Sequence, residues 1–177
     1  MNFEITDVAG GRLTITTGVE GMAFDATACS PHADGFTVLR SVVSDRMPHD
    51  QLALACRQSI ERGEVCILPR IASPATRVMI VPNSGALDAA GRQKAATLMM
   101  DLVRATQAEG VAATSLLISH FGFVPRYPKP HVLGICDAIN KLRKKSFLGL
   151  KVLGFDVASS IRSEFEQDVR HSLSAKS

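Results

Sequence analysis

The 177-residue sequence lacks several features that would assign a protein to a specialised class. No apolar run approaches the ~18 residues needed to span a bilayer, and the formal net charge is only +3. The first residues, MNFEITDVAG, are acidic and strand-like, which argues against a signal peptide. These absences predict a cytoplasmic protein without a membrane segment, and they do not favour nucleic acid as a partner.

Cysteine and histidine also lack the spacings of common metal sites. The four cysteines (Cys29, Cys56, Cys66 and Cys136) are far apart and contain no CxxC pair. The histidines form neither an HxxxH nor an HExxH pattern. We therefore expect reduced, mostly buried thiols, no metal centre and no cofactor.

The length and an ordinary composition, 46% hydrophobic and 21% charged, predict a single domain over residues 1–177. In the first part, strand-like residues 3–8 and 12–17 flank two glycines, which predicts a β-hairpin. Residues 22–28 are a third strand candidate, and residues 36–43 are interpreted as a helix.

From about residue 50 onward, helical and strand-like patterns alternate. This order predicts an α/β fold with three layers, α/β/α, around a mixed sheet of about six strands. The predicted helices are 50–63, 87–109, 131–144 and 157–173, and the predicted strands are 64–68, 76–82, 115–119 and 150–156.

Ligands of open α/β sheets bind outside the carboxyl ends of the strands. Four loops fit that position by sequence, namely 29–35, 82–86, 120–130 and 156–159. In the third of them, Gly122 could let the backbone approach a phosphate closely. This pattern indicates where a ligand would bind but not which one.

The residues of the 120–130 loop also have structural interpretations. Gly122 could only relieve a tight turn, and His120 could be a structural histidine rather than an acid or a ligand donor. Phe121 and Phe123 could stack on a base, but their alternation is also typical of one core residue and one rim residue.

Two other patterns have weak functional interpretations. Cys29 and His32 are close in sequence, as a nucleophile and its base would be, but only Asp34 could orient the histidine. The basic run at 141–145 could contact nucleic acid, yet it also falls at a predicted helix C-terminus, where cations complement the helix dipole.

Three segments together resemble macrodomains. They are LACRQSIERGEVCILPRIASPATRVMIVPNSG (54–85), SLLISHFGFVPRYPKP (115–130) and LKVLGFDVASSIRSEF (150–165). The stretch TRVMIVPNSGALDAAGRQKAATLMMDLV (76–103) is also similar to the macrodomain-like N-terminal domain of leucyl aminopeptidases. The metal-binding catalytic domain of those enzymes has no counterpart in this sequence.

The resemblance implies a macrodomain-like fold that binds ADP-ribose or a related nucleotide diphosphate, free or attached to a protein as a modification. Glu20 would meet the adenine amine, the backbone of 120–124 would cover the diphosphate, and Phe155 would lie near the adenosine. The implied ligand-binding residues are Glu20, Ala28, Cys29, Ser30, Gly35, His120, Phe121, Gly122, Phe123, Val124 and Phe155.

Several positions depart from the family pattern. Ser30 stands where macrodomains have an asparagine that supports hydrolysis, and Phe123 and Val124 replace a small polar residue and a glycine. Only Ser30, His32 and Asp34 then remain as catalytic candidates. The resemblance therefore implies at most a weak ADP-ribosyl hydrolase activity.

Two further hypotheses belong to other classes. The chain could be a macrodomain-like fold without nucleotide binding that acts as a protein-interaction or regulatory module. It could also be an enzyme of unrelated chemistry that uses His120 or Cys29.

Overall fold

The computed structural model describes residues 1–29, 49–69, 76–81, 88–108, 111–121 and 127–174. The predicted helix at 36–43 lies outside these residues. The strands are β1 Asn2–Thr6, β2 Arg12–Thr16, β3 Ala26–Cys29, β4 Cys66–Ile67, β5 Arg77–Ile80, β6 Ser115–Phe121 and β7 Val152–Val157. The described helices are α1 His49–Glu61, α2 Ala89–Thr106, α3 Lys129–Arg143 and α4 Arg162–Ser174.

The strands form one mixed sheet in the order β1-β2-β7-β6-β3-β5-β4. β2, β7, β6, β3 and β5 are mutually parallel, whereas β1 pairs antiparallel with β2 and β4 antiparallel with β5. The sheet has seven strands rather than about six. The seven described strands correspond to the seven strand candidates of the sequence, and the edge strand β4 is shorter than predicted, Cys66–Ile67 rather than residues 64–68.

Both faces of the sheet are covered, as the three-layer prediction requires. Neighbouring residues of a strand point to opposite faces, and β5 shows the consequence. Met79 belongs to the larger core, which also contains buried residues of α2, α3 and α4. Val78 and Ile80 belong to a smaller core that contains Cys56 of α1. Therefore α1 covers one face of the sheet and the other three helices cover the opposite face.

The helices of the larger layer approach each other closely at Gly134. A Cβ atom at this position would lie 2.2 Å from the carbonyl oxygen of Arg92 in α2, which no real contact allows. Beside this contact, the Arg92 guanidinium donates two hydrogen bonds to Asp137, at 2.7 and 3.0 Å. A bidentate pair of this kind fixes orientation as well as distance, so α2 and α3 are held in one register.

The β1–β2 hairpin closes as predicted around its two glycines. The Asp7 carboxylate accepts hydrogen bonds from the backbone N–H groups of Ala9, Gly11 and Phe147, at 2.9, 2.7 and 2.9 Å. Burial opposes its ionisation, but these N–H groups together lower the pKa of Asp7. One side chain thus joins the hairpin to the turn before β7.

The basic run at 141–145 lies at a helix C-terminus, as predicted, because α3 ends at Arg143. The Arg143 guanidinium donates to the carbonyl oxygens of Thr6 and Leu173, at 3.0 and 2.9 Å. This arginine therefore has a structural role that connects the hairpin, α3 and α4.

The amino ends of β3 and β6 are joined through Asp25. Its Oδ2 atom accepts from the backbone N–H and the hydroxyl of Thr114, both at 3.0 Å, and from the N–H of Ser115 at 3.2 Å. The Ser115 hydroxyl in turn accepts from the N–H of Asp25 at 2.9 Å. The hydrogen bond from the Thr114 N–H is the main cause that lowers the pKa of Asp25.

This pKa predicts how stability depends on pH. Because folding lowers the pKa of Asp25, its contribution is complete above the unfolded value of about 3.9 and is lost as pH falls below it. At neutral pH we expect Asp25→Asn to unfold at lower urea concentration than the wild type, and the difference should shrink below about pH 4. Asp101→Asn, which removes an exposed helix-surface carboxylate, is the matched control with little effect. A difference that stays constant between neutral pH and pH ~3 would contradict this assignment.

Candidate functional site

The sheet topology predicts a ligand crevice at the carboxyl ends of the strands. β3 and β6 are neighbours in the sheet, and the next described helices after them cover opposite faces. The next described helix after β3 is α1, on the side of the smaller core, whereas the next described helix after β6 is α3, on the side of the larger core. Such a switch point is where open α/β sheets form their ligand crevice.

The carboxyl end of β6 is irregular. The described pairs between β6 and β3 run to Ala28–Ile118, and those between β6 and β7 run to Phe121–Val157. The register with β7 shifts between Ile118 and Phe121, so β6 contains an irregularity of the β-bulge type. Bulges redirect the end of a strand and are frequent next to active sites. Beyond Ile118, the described pairing of β6 is with β7.

Ala28 and Cys29 form the end of β3 at the base of this crevice. Both are buried, with 1% of their surface exposed. Burial raises the pKa of the Cys29 thiol to about 12, so the thiol stays protonated at neutral pH. A thiolate nucleophile at Cys29 is not supported by this environment.

Phe155 lies inside the larger core rather than on a surface. It is fully buried, and its ring packs against that of Phe165 with a centroid distance of 5.0 Å and an interplanar angle of 57°. The structure thus gives Phe155 a packing role between β7 and α4. Its expected contact with adenosine stays a prediction.

Glu20 is exposed and lies in the segment that follows β2. Its carboxylate is 3.8 Å from Nη2 of Arg162, the first residue of α4. The segment that carries Glu20 packs onto β7, because a Cβ at Gly154 would lie 2.5 Å from the ring of Phe24. The absence of a side chain at Gly154 thus lets this segment pack onto β7. In the sequence, a glycine inside an apolar strand is the signal for such a close approach.

The remaining predicted site residues lie at the end of β6 or outside the described residues. The backbone of His120 and Phe121 continues β6 to its carboxyl end. Those outside the described residues are Ser30, His32, Asp34, Gly35, Gly122, Phe123 and Val124. The structure therefore brings together the strand ends that flank these positions.

The exit of the loop after β6 is fixed to α4. The Tyr127 hydroxyl donates to Oδ2 of Asp168 at 2.7 Å, and Nζ of Lys129 is 3.6 Å from Oδ1 of the same residue. Burial, together with this carboxylate, raises the pKa of Tyr127, so the phenol remains a hydrogen-bond donor. The Tyr-Pro-Lys sequence thus ends the loop at a defined point on the helix.

Two further side chains of α4 contact segments that follow other strands. Arg162 donates to the carbonyl oxygen of Val157, the last residue of β7, at 3.3 Å. Glu166 accepts a hydrogen bond from the hydroxyl of Thr17, which follows β2. This hydroxyl and the amino group of Met1 lower the pKa of Glu166. Sequence reasoning missed these contacts, since nothing in the helix pattern indicates partners so distant in the chain.

Comparisons with known proteins agree with this topology. No protein-family model matches the sequence, and no curated protein matches it either. Among solved structures, a mutant of the Oceanobacillus iheyensis macrodomain with ADP-ribose matches with a TM-score of 0.68 over 98% of this chain and 100% of that chain. The same macrodomain with ADP matches with a TM-score of 0.68 over 99% and 98% of the two chains. The chain has the macrodomain fold.

Sequence identity to both structures is 10%, so the likeness is one of backbone and topology. A third structure of that macrodomain, with MES bound, has a TM-score of 0.70 at the same 10% identity, over 99% of this chain and 98% of that one. The fold predicted from the three sequence segments is thereby confirmed.

The described residues contain neither a membrane-spanning helix nor a cluster of metal-ligating side chains. None of the helices in those ranges is both long enough and apolar enough to cross a membrane. Within the same part of the chain, no three potential metal-ligating side chains come together.

The Tyr127–Asp168 hydrogen bond can be tested by its removal. Tyr127→Phe leaves a partly buried carboxylate without one donor, and we expect a loss of about 1 to 2 kcal/mol in the free energy of unfolding. Lys129→Gln is the control on the same carboxylate. Because Lys129 is 60% exposed, it should cost less than about 1 kcal/mol. Equal losses for the two variants, measured by urea denaturation, would refute the assigned role of Tyr127.

Proposed function

We propose that the chain binds ADP-ribose or a related nucleotide diphosphate in the crevice between the carboxyl ends of β3 and β6. The observation that supports this most strongly is the switch point itself, where the neighbouring strands β3 and β6 are followed by described helices on opposite faces of the sheet. Two structures with the same fold contain ADP-ribose and ADP. This ligand class also matches the sequence of the loop after β6, whose Gly122 permits close approach of the backbone.

In this proposal the diphosphate is held by backbone N–H groups of residues 120–124. Successive N–H groups in a tight turn form a concave site for anions and need no cationic side chain. The fixed exit at Tyr127 limits the conformations of the loop, because its hydroxyl is bonded to Asp168. A loop held in this way loses less entropy when a ligand orders it.

The adenine would lie on the other side, near the segment after β2. Glu20 could accept a hydrogen bond from the adenine amine, and its exposed carboxylate has Arg162 within 3.8 Å. The packing of Phe24 against Gly154 holds this segment beside β7. Ala28, Cys29, Ser30 and Gly35 would then form the wall that continues from β3.

The finer part of the proposal concerns catalysis. Hydrolysis of an ADP-ribosyl group would require a water positioned against the distal ribose, and Ser30, His32 and Asp34 are the candidates for that task. The buried, protonated thiol of Cys29 adds no nucleophile. We therefore propose binding as the main activity and, at most, weak hydrolysis.

Ligand binding can be measured by thermal shift and calorimetry. ADP-ribose should raise the melting temperature, since a ligand that binds only the folded state stabilises it by mass action. Gly122→Glu should abolish the shift through steric and charge repulsion of the diphosphate. Val8→Glu, which places the same charge at an exposed residue of the opposite sheet edge, should preserve it. The absence of any shift at millimolar ADP-ribose and ADP would refute the proposal and favour the interaction-module hypothesis.

Hydrolysis has a separate test. We expect the wild type to release ADP-ribose slowly from an ADP-ribosylated protein, and Ser30→Ala to lower that rate at unchanged ADP-ribose affinity. Val8→Glu again serves as the control. If the wild-type rate equals the spontaneous rate while binding is intact, the chain is a binding module only.

A further inference from the structure

Three of the four cysteines lie at the smaller core. Cys29 and Cys56 belong to it, and Cys66 packs against it. Cys29 and Cys66 both pair with Ile80, from opposite sides of β5. They are thus two strand spacings apart, roughly 10 Å between Cα atoms, which exceeds the reach of a disulfide at about 7 Å. Cys56, which comes from α1 above this face, is not subject to that limit.

Cys56 and Cys66 are in direct contact. Their thiols are hydrogen-bonded to each other, and Cys66 has a second hydrogen bond, to the hydroxyl of Ser59. Ser59 follows Cys56 by three residues on α1, so both groups project from the same side of the helix. The sulfur of Cys66 therefore faces two donors from one helix.

The two thiols differ in access and in acidity. Cys56 is 3% exposed, whereas Cys66 is half-buried on the edge strand β4. The hydrogen bond from Cys56 lowers the pKa of Cys66, and the bond from Ser59 acts in the same direction. The same contact raises the pKa of Cys56. Cys66 is thus the thiol that ionises first and the more exposed residue of the two.

We propose that Cys56 and Cys66 form a redox-active pair in which Cys66 reacts with a hydroperoxide and Cys56 closes the disulfide. This site is separate from the proposed nucleotide crevice and does not depend on it. Of the three cysteines around β5, only this pair combines direct contact with a residue that is not fully buried.

The reaction balances without a further component. The Cys66 thiolate attacks one oxygen of hydrogen peroxide, an S–O bond forms, the O–O bond breaks, and the leaving hydroxide takes up a proton to become water. Cys66 is then a sulfenic acid. The sulfur of Cys56 attacks the Cys66 sulfur and loses its proton, an S–S bond forms, and the hydroxyl leaves as a second water. Two electrons pass from the thiols to the peroxide.

The main experiment uses the wild-type chain and hydrogen peroxide. After equimolar treatment, free thiols are blocked, and the digest is mapped by mass spectrometry. We expect a Cys56–Cys66 cross-link within one chain, the loss of two free thiols, and recovery of both with dithiothreitol. No cross-link, or a cross-link that involves Cys29 or Cys136, would overturn the proposal.

Variants separate the two roles. In Cys56→Ser, the sulfenic acid on Cys66 should persist and be trapped by dimedone, whereas Cys66→Ser should lose the rapid reaction altogether. Cys136→Ser removes a buried cysteine of α3 outside the smaller core and should behave as the wild type. Cys56→Ala replaces Cys56→Ser if the serine variant does not fold. Rapid oxidation of Cys66→Ser at another cysteine would contradict the assignment of Cys66 as the reactive thiol.

Discussion

Parallel pairing of five consecutive strands in the sheet is the constraint on which the rest of the structure depends. Parallel strands require crossovers, and these cover both faces, so the sheet must have apolar side chains above and below. β5 meets this requirement with Met79 in one core and Val78 and Ile80 in the other. The same geometry aligns all five carboxyl ends at one edge. The candidate site lies at this edge between β3 and β6, which are neighbours in the sheet but distant in the chain.

Around that edge, α4 acts as the common support. Its polar side chains contact the segments that follow β2 and β6, through Glu166 and Asp168, and the last residue of β7, through Arg162. Its apolar side contributes Phe165 to the larger core, against Phe155. One helix thereby couples the packing of the sheet to the position of the loops. Changes on α4 should therefore affect the loops together rather than one by one.

Local patterns were enough to predict most elements and the layer architecture. The apolar run around β5 and the helix α2, which starts after the N-cap Asp88, were recognisable because their signals lie within a few residues. The pairing of Tyr127 with Asp168 and the burial of Phe155 were not, since each depends on partners distant in sequence. The candidate site follows the same division. Its location came from strand order and a family resemblance, whereas the supporting contacts of α4 required the structure.

Strand β4 has one more consequence. It consists of only Cys66 and Ile67 and pairs with β5 at the edge of the sheet. A strand with such a small number of backbone hydrogen bonds can open while the central strands stay folded. In regions with few buried contacts, local opening requires much less free energy than global unfolding. Exposure of the inner sulfur of Cys56 would then follow the breathing of this edge. A covalent link between α1 and β4 would suppress this local opening, because it would tie the least protected part of the sheet to the helix above it.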